Sequence, residues 1–385
     1  MSVSSLSVPG STTTGIRARA GVLASDFRLD GGVVAMFVAS RLLLVVAAIV
    51  AEALIPRNSA LIPGDHAPIL TSLTSWDGWY YLGIARDGYH ADPVSGAYRD
   101  VAFAPLFPLV VRVLSAPWPA FSGLVAVLVS NVAFLAGLGL LTTLGGLYLG
   151  RRRAALAAGL LAIYPFASAF GMAYTEGLFL LFMVAAFLAA ERRHRTWAGA
   201  FLALTVLSRL QGVGLLLPLW LLMLRQDGWR PRVTQAWLLL GPLAALGFVL
   251  YIGTITGSVS GFLDAQKAWG RTGIGSAAPG ETIATGFSPY QGALLLTLVW
   301  SLFLLIFRRA DRLRLEYWFV PIVFIAAELS SGSLEAVGRI TMLAFPYTWI
   351  LASRRSLFAR RAWPVISMGL FTAVAILSFG GYWVP

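Results

Sequence analysis

Ionisable and aromatic side chains are concentrated in a few short stretches of an otherwise apolar sequence. The densest is 75-SWDGWYYLGIARDGYH-90, where Asp77 lies between two tryptophans, and 102-AFAPLFPLVVR-112 follows it closely. A carboxylate beside apolar rings is suited to accept a proton as a general base. The competing interpretation makes Asp77 or Ser75 the N-cap of a short helix in the membrane interface. The side chains that face lipid would then be Trp76, Trp79, Tyr80 and Ile84.

A second acidic position and a basic one lie in apolar sequence further along the chain. Glu176, in 173-AYTEG-177, is either a second carboxylate that binds sugar hydroxyls or a first-turn residue of a helix capped by Thr175. Arg209 is either a clamp for a phosphate group or the structural ion-pair partner of Glu176. Gln211 would then be a nearby amide.

Two further polar segments lie in the C-terminal third of the chain. Gln266, Trp269 and Arg271 could bind a sugar and a phosphate, or could form an ordinary interfacial loop. Glu335 and Arg339 are four residues apart, a spacing at which helical side chains pair. If Glu335 is engaged elsewhere, Arg339 becomes another phosphate ligand.

The composition defines the class of protein that must position these groups. Of 385 residues, 58% are hydrophobic and only 12% are charged, whereas soluble domains carry about 25% charged residues. Repeated apolar runs therefore predict an all-α polytopic membrane protein. The chain has no cysteine, and neither His66 nor His90 has a spacing typical of metal ligands. No nucleotide-binding glycine motif occurs, so we expect neither a metal nor a soluble nucleotide donor.

The arginines predict how the chain is oriented in the membrane. Six basic clusters hold 20 of the 29 Lys and Arg residues, and the positive-inside rule places them in the cytoplasm. Eleven spans follow, with the N-terminus inside and the C-terminus outside. Their expected ranges are 34–55, 121–149, 154–173, 177–190, 196–208, 211–224, 233–256, 289–307, 315–329, 339–353 and 363–383.

This topology divides the chain into a disordered cytoplasmic tail, residues 1–33, and a transmembrane domain, residues 34–385. The first extracytoplasmic loop covers residues 56–120 and carries interfacial helices. Arg41 is expected near the inner end of the first span.

All the polar stretches described above then face the outer side, while the inner loops offer little beyond arginines. A one-sided cluster favours an enzyme whose substrate enters from the outer leaflet, because a carrier needs polar groups near the midplane. A transporter or flippase for a lipid-linked sugar remains the alternative.

The order of the motifs resembles that of the PIG-V-like mannosyltransferases, relatives of GPI mannosyltransferase II in the GT-C membrane glycosyltransferase superfamily. The resemblance covers roughly residues 34–350 and rests on SWDGWYYLGIARDGY, AFAPLFPLVVR, 164-YPFASAFGMAYTEGLF-179, SRLQG and FLDAQKAWGR. It implies a GT-C bundle with a polyprenyl- or dolichyl-phosphate-linked mannose donor. The composition separately indicates a bacterial plasma membrane, because Lys267 is the single lysine among 29 Lys and Arg residues and Ala and Gly are abundant.

The resemblance also implies an extracytoplasmic, metal-free, inverting transfer in which a first-loop aspartate, matched by Asp77, is the base. The substrate-binding positions expected around it are Trp76, Tyr80, Glu176, Arg209, Gln211, Gln266, Trp269, Arg271 and Arg339. The sequence departs from the family at 209-RLQG-212, where the eukaryotic members have Arg-x-Asn-Gly. The acceptor is not implied, because bacteria generally lack GPI.

Overall fold

A computed structural model describes residues 29–56, 69–90, 97–268, 313–331, 337–354 and 361–382. Within these ranges every regular element is a helix, which confirms the predicted all-α class. The α-helices, numbered α1 to α15 in chain order, are Gly31–Leu54, Ile69–Leu73, Asp77–Asp87, Leu106–Ser115, Ser122–Leu149, Arg151–Ala162, Glu176–Glu191, Arg195–Ser208, Leu216–Gln226, Leu240–Thr256, Gly261–Ala268, Leu315–Ser331, Val337–Met342, Pro346–Ser353 and Trp363–Phe379.

Within the described ranges, three helical stretches have the length and composition to cross a membrane. These are Gly31–Leu54, Pro119–Leu149 and Val233–Thr256. Four shorter apolar helices accompany them: Leu106–Ser115, Leu210–Gln226, Leu315–Ala327 and Trp363–Phe379. The protein is thus a multi-pass membrane protein, while the number of eleven crossings remains a prediction.

Two of the expected spans are interrupted. The predicted span 154–173 ends as an α-helix at Ala162 and continues as the 3-10 turn Ala167–Gly171. Pro165 explains the break, because proline cannot donate a helical hydrogen bond and disfavours helix at the residue before it. The predicted span 339–353 is divided in the same way, since α14 begins anew at Pro346. The predicted span 289–307 lies outside the described residues.

The core is built around α7, which is buried along most of its length between α5, α8 and α9. Gly177 allows α7 to approach α5 closely. A Cβ atom at this position would overlap the carbonyl oxygen of Ser130 and would lie 3.2 Å from the Phe134 nitrogen. The backbone of α5 therefore fixes where α7 begins.

We expect Gly177→Ala to destabilise the protein by about 1–3 kcal/mol, because the added methyl group forces two packed helix backbones apart. Thermal unfolding of the purified protein in detergent measures the effect. Gly146→Ala in α5 is the matched control, since a Cβ there meets nothing within 4 Å. Equal unfolding temperatures for the two variants would contradict this account of the close approach.

Acidic residues lie among the predicted basic clusters, near the end of α7 that is opposite Glu176. Glu191 accepts hydrogen bonds from the hydroxyl groups of Tyr148 and Tyr317. Asp227 pairs with Arg195 at 3.2 Å. The expectation that these segments offer little beyond arginines was wrong, because their few acidic residues neutralise part of the basic charge.

The helices also bring the predicted site residues to a common location. Asp77 begins α3 and Glu176 begins α7, whereas Arg209 directly follows α8. Arg339 lies in the short helix α13. Three of the four charges thus lie at helix termini, and Glu176 is at the opposite end of α7 from the basic segment that follows Glu191.

Candidate active site

Four of the predicted site residues form one charge cluster. The Nη1 atom of Arg339 lies 2.6 Å from Oδ2 of Asp77, and its Nε atom lies 3.3 Å from Oε1 of Glu176. Arg209 forms an ion pair with the same Glu176 oxygen. Two carboxylates and two guanidinium groups from four distant segments therefore neutralise one another. Arg339 is the link between the two acidic residues.

The members of the cluster differ in their access to solvent or substrate. The side chain of Glu176 is 1% exposed, that of Arg339 is 3% and that of Arg209 is 9%. Asp77 is the most accessible, at 13%. Oε2 of Glu176 has no hydrogen-bond partner in the part of the chain that the structure describes. Glu176, Arg209 and Arg339 thus form a buried network of charged side chains, and Asp77 lies at its accessible edge.

The backbone before Asp77 adopts an uncommon conformation. Trp76 has φ 58° and ψ −123°, which corresponds to the first central residue of a type II′ turn, and the Gly78 nitrogen donates to the Ser75 carbonyl at 3.1 Å. A positive φ is unfavourable for a residue with a large side chain and persists only where tertiary contacts enforce it. The Trp76 indole supplies one such contact, donating to the Ser378 carbonyl of α15 at 3.0 Å.

The helix-capping alternative for this segment is wrong. Trp76 occupies the N-cap of α3 without a side-chain hydrogen bond, and the Ser75 hydroxyl donates to the Ser72 carbonyl instead. The predicted lipid-facing set is also corrected, because Ile84 is buried and the indole of Trp76 is bonded to α15. The Asp77 carboxylate, freed from capping, is bound to Arg339.

The YTEG turn is fixed from two sides. The Ser130 hydroxyl donates to the Tyr174 carbonyl at 2.6 Å and accepts from the Tyr174 nitrogen at 3.1 Å. Thr175 does not cap α7 as expected, since its hydroxyl donates to the Ser208 carbonyl at 3.0 Å and so ties the turn to the residue before Arg209. The Arg339 guanidinium carbon lies 5.3 Å from the centre of the Tyr174 ring, a cation–π distance.

We expect Ser130→Ala to destabilise the protein by about 1–3 kcal/mol, because the buried Tyr174 carbonyl loses the hydroxyl that donates to it, while the Tyr174 N–H keeps the Met172 carbonyl as its acceptor. Thermal unfolding again provides the measurement. Ser353→Ala is the matched control, since the Ser353 hydroxyl bonds to the carbonyl of Trp349 in its own helix, within the described part of the chain. If both variants unfold with the wild type, Ser130 does not hold the turn.

The other predicted site residues make contacts elsewhere or lie outside the described ranges. Tyr80 stacks on Phe103 with ring centres 5.0 Å apart, and Gln266 donates to the Ala102 carbonyl at 3.5 Å. Gln211 is half-buried in the 3-10 turn Leu210–Leu215. Trp269, Arg271 and Glu335 lie outside the described residues, so the expected pair of Glu335 with Arg339 is neither seen nor excluded.

A second polar contact organises the predicted first loop. Nδ1 of His90 lies 2.8 Å from Oδ2 of Asp100, a buried carboxylate. Burial raises the pKa of Asp100, while its hydrogen bonds with His90 act in the opposite direction. Among the residues that the structure describes, no group of three or more His, Asp or Glu side chains could hold a metal ion.

Comparison with known proteins finds similar folds among solved structures and one matching family. The structure of ArnT from Cupriavidus metallidurans bound to undecaprenyl phosphate superimposes with a TM-score of 0.50 and 17% identity, over 92% of this chain and 77% of that one. The Archaeoglobus fulgidus oligosaccharyltransferase in its apo form gives 0.48 and 13%, over 90% and 56%. No curated protein sequence gives a significant match.

The fold is ArnT-like, the fold described as GT-C. Residues 32–217 match the family described as mannosyltransferase (PIG-V), which confirms the resemblance to the PIG-V-like mannosyltransferases. The matched range contains Asp77, Glu176 and Arg209, whereas Arg339 lies beyond it.

Proposed function

We propose that this protein transfers mannose from a polyprenyl-phosphate donor to an acceptor on the extracytoplasmic side of a bacterial plasma membrane, with inversion at the anomeric carbon. The observation that carries the proposal is the convergence of Asp77, Glu176, Arg209 and Arg339, with Asp77 the most accessible of them. The family match supports mannose as the sugar. The undecaprenyl phosphate bound to the structurally similar ArnT supports a lipid-phosphate donor.

In the proposed reaction, Asp77 is the general base. One carboxylate oxygen stays hydrogen-bonded to Arg339, which orients the group, and the other accepts the proton of the acceptor hydroxyl. The acceptor oxygen forms a bond to the anomeric carbon as the bond from that carbon to the phosphate oxygen breaks. The electron pair leaves with polyprenyl phosphate, whose new negative charge is favoured by nearby positive groups.

The remaining members of the cluster have supporting roles in this proposal. Glu176 holds Arg209 and Arg339 in place, so the ion-pair interpretation of Arg209 accounts for its contacts better than a phosphate clamp. Arg339 contacts Asp77 at 2.6 Å and so orients the carboxylate of the proposed base. Arg271 remains a further phosphate ligand predicted from sequence.

The test is to incubate the purified protein with synthetic polyprenyl-phosphate mannose and a membrane extract. The expected result is release of polyprenyl phosphate together with a newly mannosylated product. Movement of the intact donor across a vesicle membrane, without cleavage, would instead identify a flippase. Replacing mannose by glucose in the donor tests the choice of sugar separately from the choice of lipid carrier.

A further inference from the structure

The position of Arg339 matters because its guanidinium group contacts both acidic residues of the cluster. Its Nη1 atom lies 2.6 Å from Oδ2 of Asp77, while its Nε atom lies 3.3 Å from Oε1 of Glu176. The two carboxylates therefore attract the same cation in two directions. Each carries one negative charge when ionised, so charge alone does not select Asp77 as the closer partner.

The aromatic ring of Tyr174 supplies a third contact to Arg339. The guanidinium carbon lies 5.3 Å from the ring centre, and both residues are buried, Tyr174 completely. The face of an aromatic ring attracts a cation, and the attraction is stronger where water is excluded. The ring can therefore restrain the guanidinium group without using any of the N–H donors that face the carboxylates.

The hydroxyl group of Tyr174 does not explain why a tyrosine lies here. A buried tyrosine hydroxyl usually has a hydrogen-bond partner. This one is within electrostatic reach of Asp77, Glu176 and Arg339 but forms no hydrogen bond within the described ranges. The part of the side chain with a defined contact to the cluster is the ring.

The stretch of chain between α6 and α7 contacts Arg339 at a second place. A Cβ atom at Gly338 would overlap the ring of Phe166, so only glycine lets α13 come this close. Phe166 and Tyr174 both lie in this stretch, which ends where α7 begins at Glu176. The stretch thus fixes the backbone beside Arg339 through Phe166 and the guanidinium group through Tyr174.

We propose that Tyr174 is a positioning residue, whose ring holds the Arg339 guanidinium group so that it orients the Asp77 carboxylate. The inference rests on the proposed function, because Asp77 is the base of that reaction. Tyr174 is completely buried, so it acts through Arg339 and does not touch the substrate. Without the ring, the guanidinium group is free to turn toward Glu176, and the Asp77 carboxylate loses the hydrogen bond that directs it.

The experiment measures kcat and the KM for synthetic polyprenyl-phosphate mannose with the purified full chain and a membrane extract. Tyr174→Leu should lower kcat about ten-fold at unchanged KM, the rate equivalent of losing a cation–π contact away from water. Tyr174→Phe keeps the ring and should retain the kcat of the wild type. Phe187→Leu is the matched control, because it removes a fully buried ring near the other end of α7. We expect its kcat to be unchanged.

Three results would overturn the proposal. The first is a wild-type kcat in Tyr174→Leu, and the second is a Tyr174→Phe variant as slow as Tyr174→Leu, since the hydroxyl would then carry the effect. The third is an equal loss in Phe187→Leu. If Tyr174→Leu fails to fold, pentafluorophenylalanine in place of Tyr174 decides, because fluorine keeps the ring but removes the negative charge of its face. A kcat equal to that of Tyr174→Phe would then overturn the proposal.

A stability measurement separates this inference from the proposed function. Tyr174→Leu should lower the thermal unfolding temperature more in the wild type than in Arg339→Gln, where the cation is already absent. Equal shifts in the two backgrounds would show that the ring does not hold Arg339. Unequal shifts in a protein that releases no polyprenyl phosphate would contradict the proposed function and confirm that the ring holds Arg339.

Discussion

The variant Asp77→Asn should fold and bind its donor but transfer sugar about 10²–10⁴-fold more slowly, the usual cost of losing a general base. An amide cannot accept the proton of the attacking hydroxyl, although it keeps the size of the carboxylate and can still accept a hydrogen bond from Arg339. Arg339 also retains Glu176 at 3.3 Å, so the substitution does not leave it without an acidic neighbour. Release of polyprenyl phosphate from synthetic donor measures the rate.

Asp87→Asn is a matched control in the same helix. It makes the identical chemical change at a side chain that is 40% exposed and pairs with the adjacent Arg86. We expect its transfer rate to equal that of the wild type. Near-normal turnover by Asp77→Asn would remove Asp77 from the role of base, and a slow Asp87→Asn would show that the assay responds to general damage to α3.

Much of the fold could be predicted because hydropathy and arginine placement act locally. The first span, predicted as 34–55, is the helix Gly31–Leu54, and the predicted span 177–190 is Glu176–Glu191. The interruption after Ala162 was missed because the apolar run continues through Pro165, so the hydropathy gives no sign that the helix ends there.

The site could be predicted only as a set of candidates. Arg339 was given Glu335 as its nearest partner because helical spacing is visible in sequence, whereas its contact with Asp77 spans 262 positions. The conformation of Trp76 has no sequence signature either, since its positive φ is stabilised by a contact with α15. Ser130 and Tyr174 were not singled out, although a serine in an apolar helix and a tyrosine beside Glu176 were visible signals.

Glu176 should be the residue whose loss most reduces stability. Its buried carboxylate faces both Arg209 and Arg339, so Glu176→Gln removes the acidic partner of the buried Arg209 and leaves Asp77 as the acidic partner of Arg339 among the described residues. Removing one partner of a buried ion pair costs about 3–5 kcal/mol. Because whole domains are stable by only about 5–15 kcal/mol, we expect low yield and a markedly lower unfolding temperature.

A double-variant cycle separates this electrostatic cost from a general effect of the substitution. Removing the opposing charge as well, in Glu176→Gln/Arg209→Gln, should recover part of the lost stability, because contacting residues couple by about 0.5–3 kcal/mol. Asp87→Asn, at a side chain that is 40% exposed, should unfold with the wild type. The opposite outcome is that the double variant's loss in free energy of unfolding equals the sum of the losses of the two single variants. In that case Glu176 and Arg209 are not energetically coupled, and Arg339 alone would hold the Asp77 carboxylate in place.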